Sequence, residues 1–363
     1  MKKIGILTFS MANNYGALLQ AYALKTALDT LRARADIINY LCPALERWHS
    51  PDIFIKRSLK GTIKSIILFP YFLFIRCLFY PFMKKYLNGG TTYKKEQLVS
   101  LNGIYDAFIT GSDQVFNQNL TNGDTTYYLD FIRDNSKKFS YAASFGYLPK
   151  PKELFRADLL KKFKHLSLRE QQAANVLKDA GFTNITTDID PVLLLKKEAW
   201  ADIADTKGIN GDFIFFYSAN DDDKIISFAK RLSKDTGLKI VYSSGSFLSF
   251  PLKAKYPFAT VQQWLGYMLK AKYVVTNSFH GLAFSINLNK NFFIDFLPKE
   301  HKGNSRLESL LDIMGLQNRL IANTGNNYNN DIDWQSVNKI LDIERAKSLN
   351  YLKSILDGSY EQN

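Results

Sequence analysis

The chain has 363 residues, of which 46% are hydrophobic and 22% charged, and a formal net charge of +13. That length is too great for one ordinary core and suggests two domains; the composition excludes a disordered or fibrous chain. The positive excess points to acidic partners: a phosphorylated substrate, an anionic membrane surface or nucleic acid. Two cysteines, Cys42 and Cys77, make no disulfide framework and suit a reducing compartment. Four histidines (His49, His165, His280, His301) show no HxH or HExxH spacing, so no metal site is expected. The apolar run that opens the chain is too short for a signal peptide, and a cytoplasmic location is expected.

Lys3–Phe9 reads as the first strand, Ser10–Gly16 as a polar loop, and Ala17–Leu31 as a helix with leucines on one side. The loop holds Asn13-Asn14-Tyr15-Gly16, where glycine permits a tight turn or close approach to a ligand; no GxGxxG dinucleotide pattern is present. Arg57–Tyr86 is basic and aromatic, and its uncharged run Ser65–Ile75 is too short to span a bilayer. It suits either a helix lying on an anionic membrane or a helical excursion packed on the core.

Three buried strands follow, each with a polar end. Tyr105–Thr110 ends in Gly111-Ser112-Asp113-Gln114, Phe139–Ala143 in Ser144-Phe145-Gly146, and His165–Leu168 in Arg169-Glu170. In a parallel sheet these ends share one rim with Asn14 and Gly16, and a rim of recurring polar residues indicates a cleft. Arg169 is placed either to grip a carboxylate or phosphate through two parallel hydrogen bonds, or to pair with Glu170 or a neighbour. Helix Gln171–Ala180 and the stretch Asp188–Leu195 complete the first half, with a domain boundary near Thr206–Gly211. The expected domains are therefore 1–206, with a basic-aromatic insert at about 50–90, and 207–363.

The second half restarts the alternation: strand Phe213–Tyr217, helix Asp222–Thr236, strand Lys239–Ser243 running into Ser244-Gly245-Ser246, and helix Val261–Lys272. Tyr273–Thr276 is a strand, Phe279–Ile286 a helix, and Asn277 and Ser278 are N-cap types between them. His280 then sits on a first helical turn at the carboxyl end of a strand, where free N–H groups and the helix dipole favour an anion. Ser305–Met314, with Arg306 in its first turn, is a further helix; Asn323–Asn330 is asparagine-rich and expected to be mobile; Asp333–Leu356 is a terminal helical region able to pack back on the first half. The fold class expected is α/β, with two Rossmann-like domains facing a central cleft.

Six ordered stretches, NNYGALLQAYAL, YDAFITGSDQVFN, SYAASFG, LSLRE, DPVLLL and VVTNSFHG, together resemble the polysaccharide pyruvyl transferase family. The resemblance implies a glycosyltransferase-B-like pair of domains and transfer of a pyruvyl group from phosphoenolpyruvate to sugar hydroxyls as a cyclic ketal, in cell-surface polysaccharide biosynthesis. No cofactor is implied beyond phosphoenolpyruvate as donor substrate. The family's histidine matches His280 and an arginine after an early strand matches Arg169. Some members carry an arginine two residues before the histidine; here that place is Ser278, and Arg306 is the candidate to supply the guanidinium. The roles expected are His280, Arg169 and Asp113 in catalysis, with Asn14, Tyr15, Gly16, Ser112, Gln114, Ser144, Asn277, Ser278 and Arg306 in substrate binding.

The acceptor expected is a sugar or lipid-linked oligosaccharide, with peripheral contact to the inner face of an anionic membrane. Two other readings compete. A nucleotide-sugar glycosyltransferase of the same fold would need a ribose carboxylate, for which Glu308 is the one candidate. A non-catalytic polyanion-binding protein would rest on the net charge alone, and no nucleic-acid-binding motif is present, so nucleic acid is not expected as a partner.

Overall fold

A computed structural model describes residues 1–45, 59–87, 90–147, 156–244, 258–298, 303–324, 328 and 331–359. His49, His301, Lys56, Arg57, Gly245, Ser246 and most of the asparagine-rich stretch lie outside the described residues.

The strands, in chain order, are β1 Lys3–Leu7, β2 Arg34–Ile37, β3 Asn39–Tyr40, β4 Thr92–Tyr93, β5 Ala107–Gly111, β6 Lys138–Tyr141, β7 Leu166–Leu168, β8 Ile185–Thr187, β9 Phe213–Ser218, β10 Lys239–Ser244, β11 Tyr273–Thr276 and β12 Asn291–Ile294. One sheet runs β2-β1-β5-β6, all parallel. The parallel pair β7-β8 continues it, through bridges from Phe139 to His165 and from Ala143 to Leu168. The second sheet runs β10-β9-β11-β12, again all parallel. Strands β5 and β9 are buried along their whole length, as continuous apolar runs in a parallel sheet covered on both faces must be. The result is two Rossmann-like α/β domains in a glycosyltransferase-B-like arrangement.

The first helix begins earlier than the sequence spacing suggests, at Tyr15 rather than Ala17. The cause is Asn14, whose side chain accepts from the Ala17 amide at 3.0 Å and caps the helix. Tyr15 and Gly16 therefore belong to a helical turn and not to a free loop.

Tyr15 joins the two domains. Its ring stacks on Trp264 at 5.3 Å and meets Phe79 at 4.8 Å and Tyr217 at 6.4 Å, and its hydroxyl donates to the Ala259 carbonyl at 2.8 Å. Trp264 is fully buried and also meets Phe284 and Tyr217 at 5.4 and 4.9 Å. Phe79 comes from the helix Leu59–Tyr86, the basic-aromatic insert, which runs on through Pro70 and Pro81. One side of that helix packs inward through Ile75, Phe79, Phe82 and Met83, while Phe69, Leu73, Phe74 and Tyr80 stay exposed. Among the described residues no helix is long and apolar enough to cross a membrane.

The last helix, Trp334–Asp357, leaves the second domain and lies on the first sheet. The Tyr351 hydroxyl donates to the Ser140 carbonyl at 2.8 Å, Ser348 Oγ accepts from the Ile189 amide at 3.2 Å, and Arg345 Nε donates to the Leu193 carbonyl at 2.8 Å. The domains are thus fastened by an aromatic stack on one side and by this helix on the other.

The Trp264 indole N–H is buried without a hydrogen-bond partner, which separates two variants. Trp264→Ala should cost about 3–5 kcal/mol through the cavity it leaves. Trp264→Phe should cost clearly less, because it also discards an unpaired buried donor. Urea denaturation of both variants measures the difference; equal costs would mean the N–H is satisfied in solution.

Candidate active site

The parallel order brings the carboxyl ends of β1, β5, β6 and β7 to one rim, and β11 delivers the Phe279–Asn287 helix against it. Asp190 is the centre of this junction. It follows β8, caps the short turn Pro191–Leu193 by accepting from the Val192 amide at 3.1 Å, and is 1% exposed. Its Oδ2 accepts from Arg169 Nη1 at 2.7 Å, lies 3.0 Å from the Ser112 hydroxyl, and stands 3.8 Å from His280 Nε2.

Arg169 lies flat on the Phe279 ring, 4.2 Å from guanidinium carbon to centroid, with its side chain 2% exposed. Asp190 occupies Nη1. Nε and Nη2, which share the opposite edge, have no hydrogen-bond partner among the described residues; Glu170 Oε1 and Asp113 Oδ1 flank them at 4.0 and 3.9 Å. A planar fork held by one carboxylate and one aromatic ring, with its second edge unpaired, is built to receive two oxygens at once. Arg306 stands over the same ring at 5.9 Å. Arg169, Asp190, Phe279 and Arg306 line a cavity of about 140 Å³ together with Gln171 and Lys347.

His280 is nearly as enclosed, and its Nε2 has no hydrogen-bond partner. A Cβ at Gly16 would come within 2.1 Å of His280 Nδ1, so only glycine lets the first helix approach the imidazole. The glycine after the histidine acts likewise: a Cβ at Gly281 would meet Thr276 Oγ1 at 2.2 Å. Gly16 thus lets the first helix start meet the imidazole, and Gly281 lets the histidine's own helix lie close on the strand before it.

Burial governs the charges. It lowers the His280 pKa, with Arg169 and Arg306 adding to the effect against Asp190 and Asp113, so the imidazole is neutral at neutral pH. Burial also opposes charge on Asp190, but His280, Arg169 and the Val192 amide outweigh it and hold the carboxyl below its usual range. Burial pushes the Glu170 carboxyl up, against the pull of Arg169 and its hydrogen bond with Ser144. Arg306 is brought down to about 10, by burial first and then by Arg169, and remains a cation. Arg169 itself is raised: burial opposes its charge, and Asp190, Glu170 and Asp113 prevail.

The other expected residues have definite places. Asn14 caps its helix and Tyr15 packs in the interdomain stack. The Ser112 hydroxyl sits between Asp190 and the Ala142 carbonyl. Asp113 Oδ1 accepts from the Gln114 amide at 2.8 Å, and Gln114 Oε1 accepts from Asn117 at 2.8 Å. Ser144 bonds Glu170 and accepts from the Gly146 amide at 2.9 Å. Asn277 accepts from the Ala219 amide at 2.8 Å and donates to the Asn220 carbonyl at 2.6 Å, which ties β11 to the loop after β9. Ser278 occupies the N-cap position without capping, near Tyr217, whose hydroxyl pKa burial pushes up to about 12.

The structure thus brings Gly16, Ser112, Asp113, Arg169, Ser278, His280 and Arg306 to one junction, and uses Asn14, Tyr15, Gln114 and Asn277 for local bonds and packing. Sequence reasoning gave no role to Asp190 or Phe279, and to Glu170 only that of an alternative ion-pair partner for Arg169. For Asp190 a signal existed: an aspartate directly before Pro191 in a run of apolar residues is a buried charge that needs a partner. Among the described residues no cluster of three or more His, Cys, Asp or Glu could hold a metal.

Alanine for glycine inside a helix ordinarily stabilises by about 0.5–1 kcal/mol. Gly16→Ala should instead lower stability and move the His280 imidazole resonances; a stabilised variant with unmoved resonances would refute the contact. Acid should also weaken the fold. His165 is pushed down to about 4 by burial, and His280 is lowered for the same reason. Both stay neutral when folded but take a proton near pH 6.5 when unfolded, so stability is full above about 6.5 and falls below it by about 1.4 kcal/mol per pH unit per group. For His165 the loss ends near pH 4, where the folded form protonates too. Denaturation midpoints across this range should flatten in His165→Gln, and an unchanged slope there would exclude the residue.

Among curated proteins no match was found. Solved structures with a similar course include the UDP-GlcNAc 2-epimerase of Neisseria meningitidis bound to UDP-GlcNAc, 11% identical over 96% of this chain and 100% of that one, TM-score 0.47. The S. aureus MnaA–UDP co-structure is 12% identical over 98% and 90%, TM-score 0.49. The E. coli heptosyltransferase WaaC with ADP is 14% identical over 82% and 88%, TM-score 0.37. At such identities no chemistry transfers. The family model for polysaccharide pyruvyl transferase matches residues 14–294, a span that holds Gly16, Arg169, Asp190 and His280, and the chain belongs to that family.

Proposed function

We propose that this transferase moves a pyruvyl group from phosphoenolpyruvate to two hydroxyls of a sugar, forming a pyruvate ketal in cell-surface polysaccharide biosynthesis. The observation that carries the reading is that, among the described residues, the Nε/Nη2 edge of buried Arg169 and the Nε2 of His280 have no hydrogen-bond partner, while both side chains stand at Asp190. Phosphoenolpyruvate carries a carboxylate and a phosphate, and Arg169 and Arg306 offer two cations on one aromatic ring.

In this reading the donor's methylene carbon takes a proton and its neighbouring carbon becomes oxocarbenium-like. A sugar hydroxyl attacks that carbon and loses its proton. A second hydroxyl then attacks, the bond between that carbon and the phosphate oxygen breaks, and phosphate leaves with the bonding pair and takes the second hydroxyl's proton. His280 handles the proton on the donor, and Asp113 takes the proton of the attacking hydroxyl. Neutral His280 becomes an acid only when the donor's negative charge stands beside it, so donor binding and protonation are coupled.

The acceptor is a sugar or lipid-linked oligosaccharide. A cavity of about 310 Å³ supports that part, lined by Phe9, Tyr40 and Tyr127 with Asn13 and Arg76; rings and amides suit sugar faces and hydroxyls. Asn13 lies three residues before the Gly16 contact with His280. The nucleotide-sugar reading gains nothing, since Glu308 is exposed on its helix.

Incubation with phosphoenolpyruvate and candidate lipid-linked or nucleotide-linked sugars should release phosphate together with a product of matching mass; release without such a product would count against ketal formation. Arg169→Lys should lower turnover about 10- to 100-fold, the worth of one charged hydrogen bond, while the fold survives. Near-normal turnover would make Arg169 a structural ion pair. Calorimetry of phosphoenolpyruvate binding should give a buffer-dependent heat, from proton uptake near neutral pH. His280→Asn should keep detectable binding, lose that heat and abolish turnover; an active variant would remove His280 from the chemistry.

A further inference from the structure

We infer that the outer face of the helix Leu59–Tyr86 docks on the surface of an anionic lipid bilayer. The helix buries Ile75, Phe79, Phe82 and Met83, spaced four, three and one apart along one side. The opposite side holds Phe69, Leu73, Phe74 and Tyr80 at 41, 52, 44 and 45% exposure. Phe258, 44% exposed, joins them with its ring 5.3 Å from Phe74, edge to face. Among the described residues nine large hydrophobics are this exposed, and five of them lie on this side of the molecule, four on the one helix and Phe258 against Phe74. Scattered apolar residues need no explanation, but a gathered set does.

The charges choose the occupant. Arg76, Lys84 and Lys85 are exposed on the same helix, Arg76 lying 5.7 Å from the Tyr80 ring and Lys85 4.8 Å from the Tyr86 ring. Between Asp52 and Glu96 the chain has nine Lys and Arg and no Asp or Glu. A helix whose outer side carries aromatic and leucine side chains, with cations around them and no carboxylate, is matched to an interface that is apolar below and anionic above. Two copies of this chain meeting by that face would bring like charges together, so a self-association surface fits poorly. The helix lies in the interface, since none among the described residues can span it. The inference is independent of the pyruvyl-transfer reading, because vesicle binding needs neither donor nor acceptor.

Flotation of the full chain with vesicles of phosphatidylcholine, with and without phosphatidylglycerol, tests it. Binding should require phosphatidylglycerol and weaken as salt is raised. Lys84→Glu combined with Lys85→Glu should lower the bound fraction at least about tenfold, and Leu73→Ser several-fold, with thermal midpoints near that of the unaltered chain because these side chains are exposed. Equal binding to both vesicle types, no binding at low salt, or full binding by Leu73→Ser would overturn the inference. So would a dimer in sedimentation equilibrium that Leu73→Ser dissociates, which would make a second copy the occupant.

Discussion

Everything at the junction depends on the ion pair between Asp190 and Arg169. Both side chains are almost wholly buried, and removing two charges from water costs several kcal/mol per ion unless each finds partners. Asp190 has three: Arg169, the Ser112 hydroxyl and the Val192 amide. Arg169 has only one direct hydrogen bond from its guanidinium, completed by the Phe279 face. The asymmetry is informative. A pair present only for stability would satisfy both members, and replacing both by apolar groups would often serve the fold better. The pair leaves most of the guanidinium's donors unused, as a grip for an anion would require.

The same pair sets the electrical balance. Two guanidiniums, Arg169 and Arg306, stand among the carboxyl groups of Asp113, Glu170 and Asp190 with a neutral imidazole. Burial pushes Glu170 toward its protonated form, which moves the balance toward the cations. A bound multivalent anion would then be countered partly by protein cations and partly by a proton taken up. Cations alone would bind such an anion without providing a proton; the lowered His280 links the two steps.

Much of this was legible in the sequence, and the remainder was hidden for a physical reason. Runs such as Phe213–Tyr217 and Tyr273–Thr276 are buried strands because only a covered parallel sheet accepts unbroken apolar residues. Arg169 was legible because it directly follows a strand, and His280 because it sits in the first helical turn after one. Asp190 was not, since its role comes from residues 21 and 90 positions away, and spacing along the chain says nothing of that. Asn277 and Tyr15 show the converse: a polar or aromatic residue at a strand end has bonds to make in the fold as well as any it makes to a ligand. Asn277 is spent on Ala219 and Asn220, and Tyr15 on Trp264 and Ala259. The Gly16 contact with His280 crosses 264 positions and has no sequence signal beyond a glycine where a helix begins.

The site is made from both domains, so its geometry is only as fixed as their junction. Domain interfaces within a chain are usually small and polar, and relative motion is then the ordinary expectation. This junction differs. Tyr15, Phe79, Tyr217, Trp264 and Phe284 form a buried aromatic cluster across it, and the terminal helix reaches back from one domain to bond Ser140, Ile189 and Leu193 of the other. Opening the domains would break that cluster at a cost of several kcal/mol. The fork of Arg169 and the ring of His280 are therefore held in place before substrate binds, and little binding energy is spent on assembling them. In the pyruvyl-transfer reading, specificity would then depend on what can reach the fork from the side and on which hydroxyls can be presented to it, more than on closure of one domain over the other.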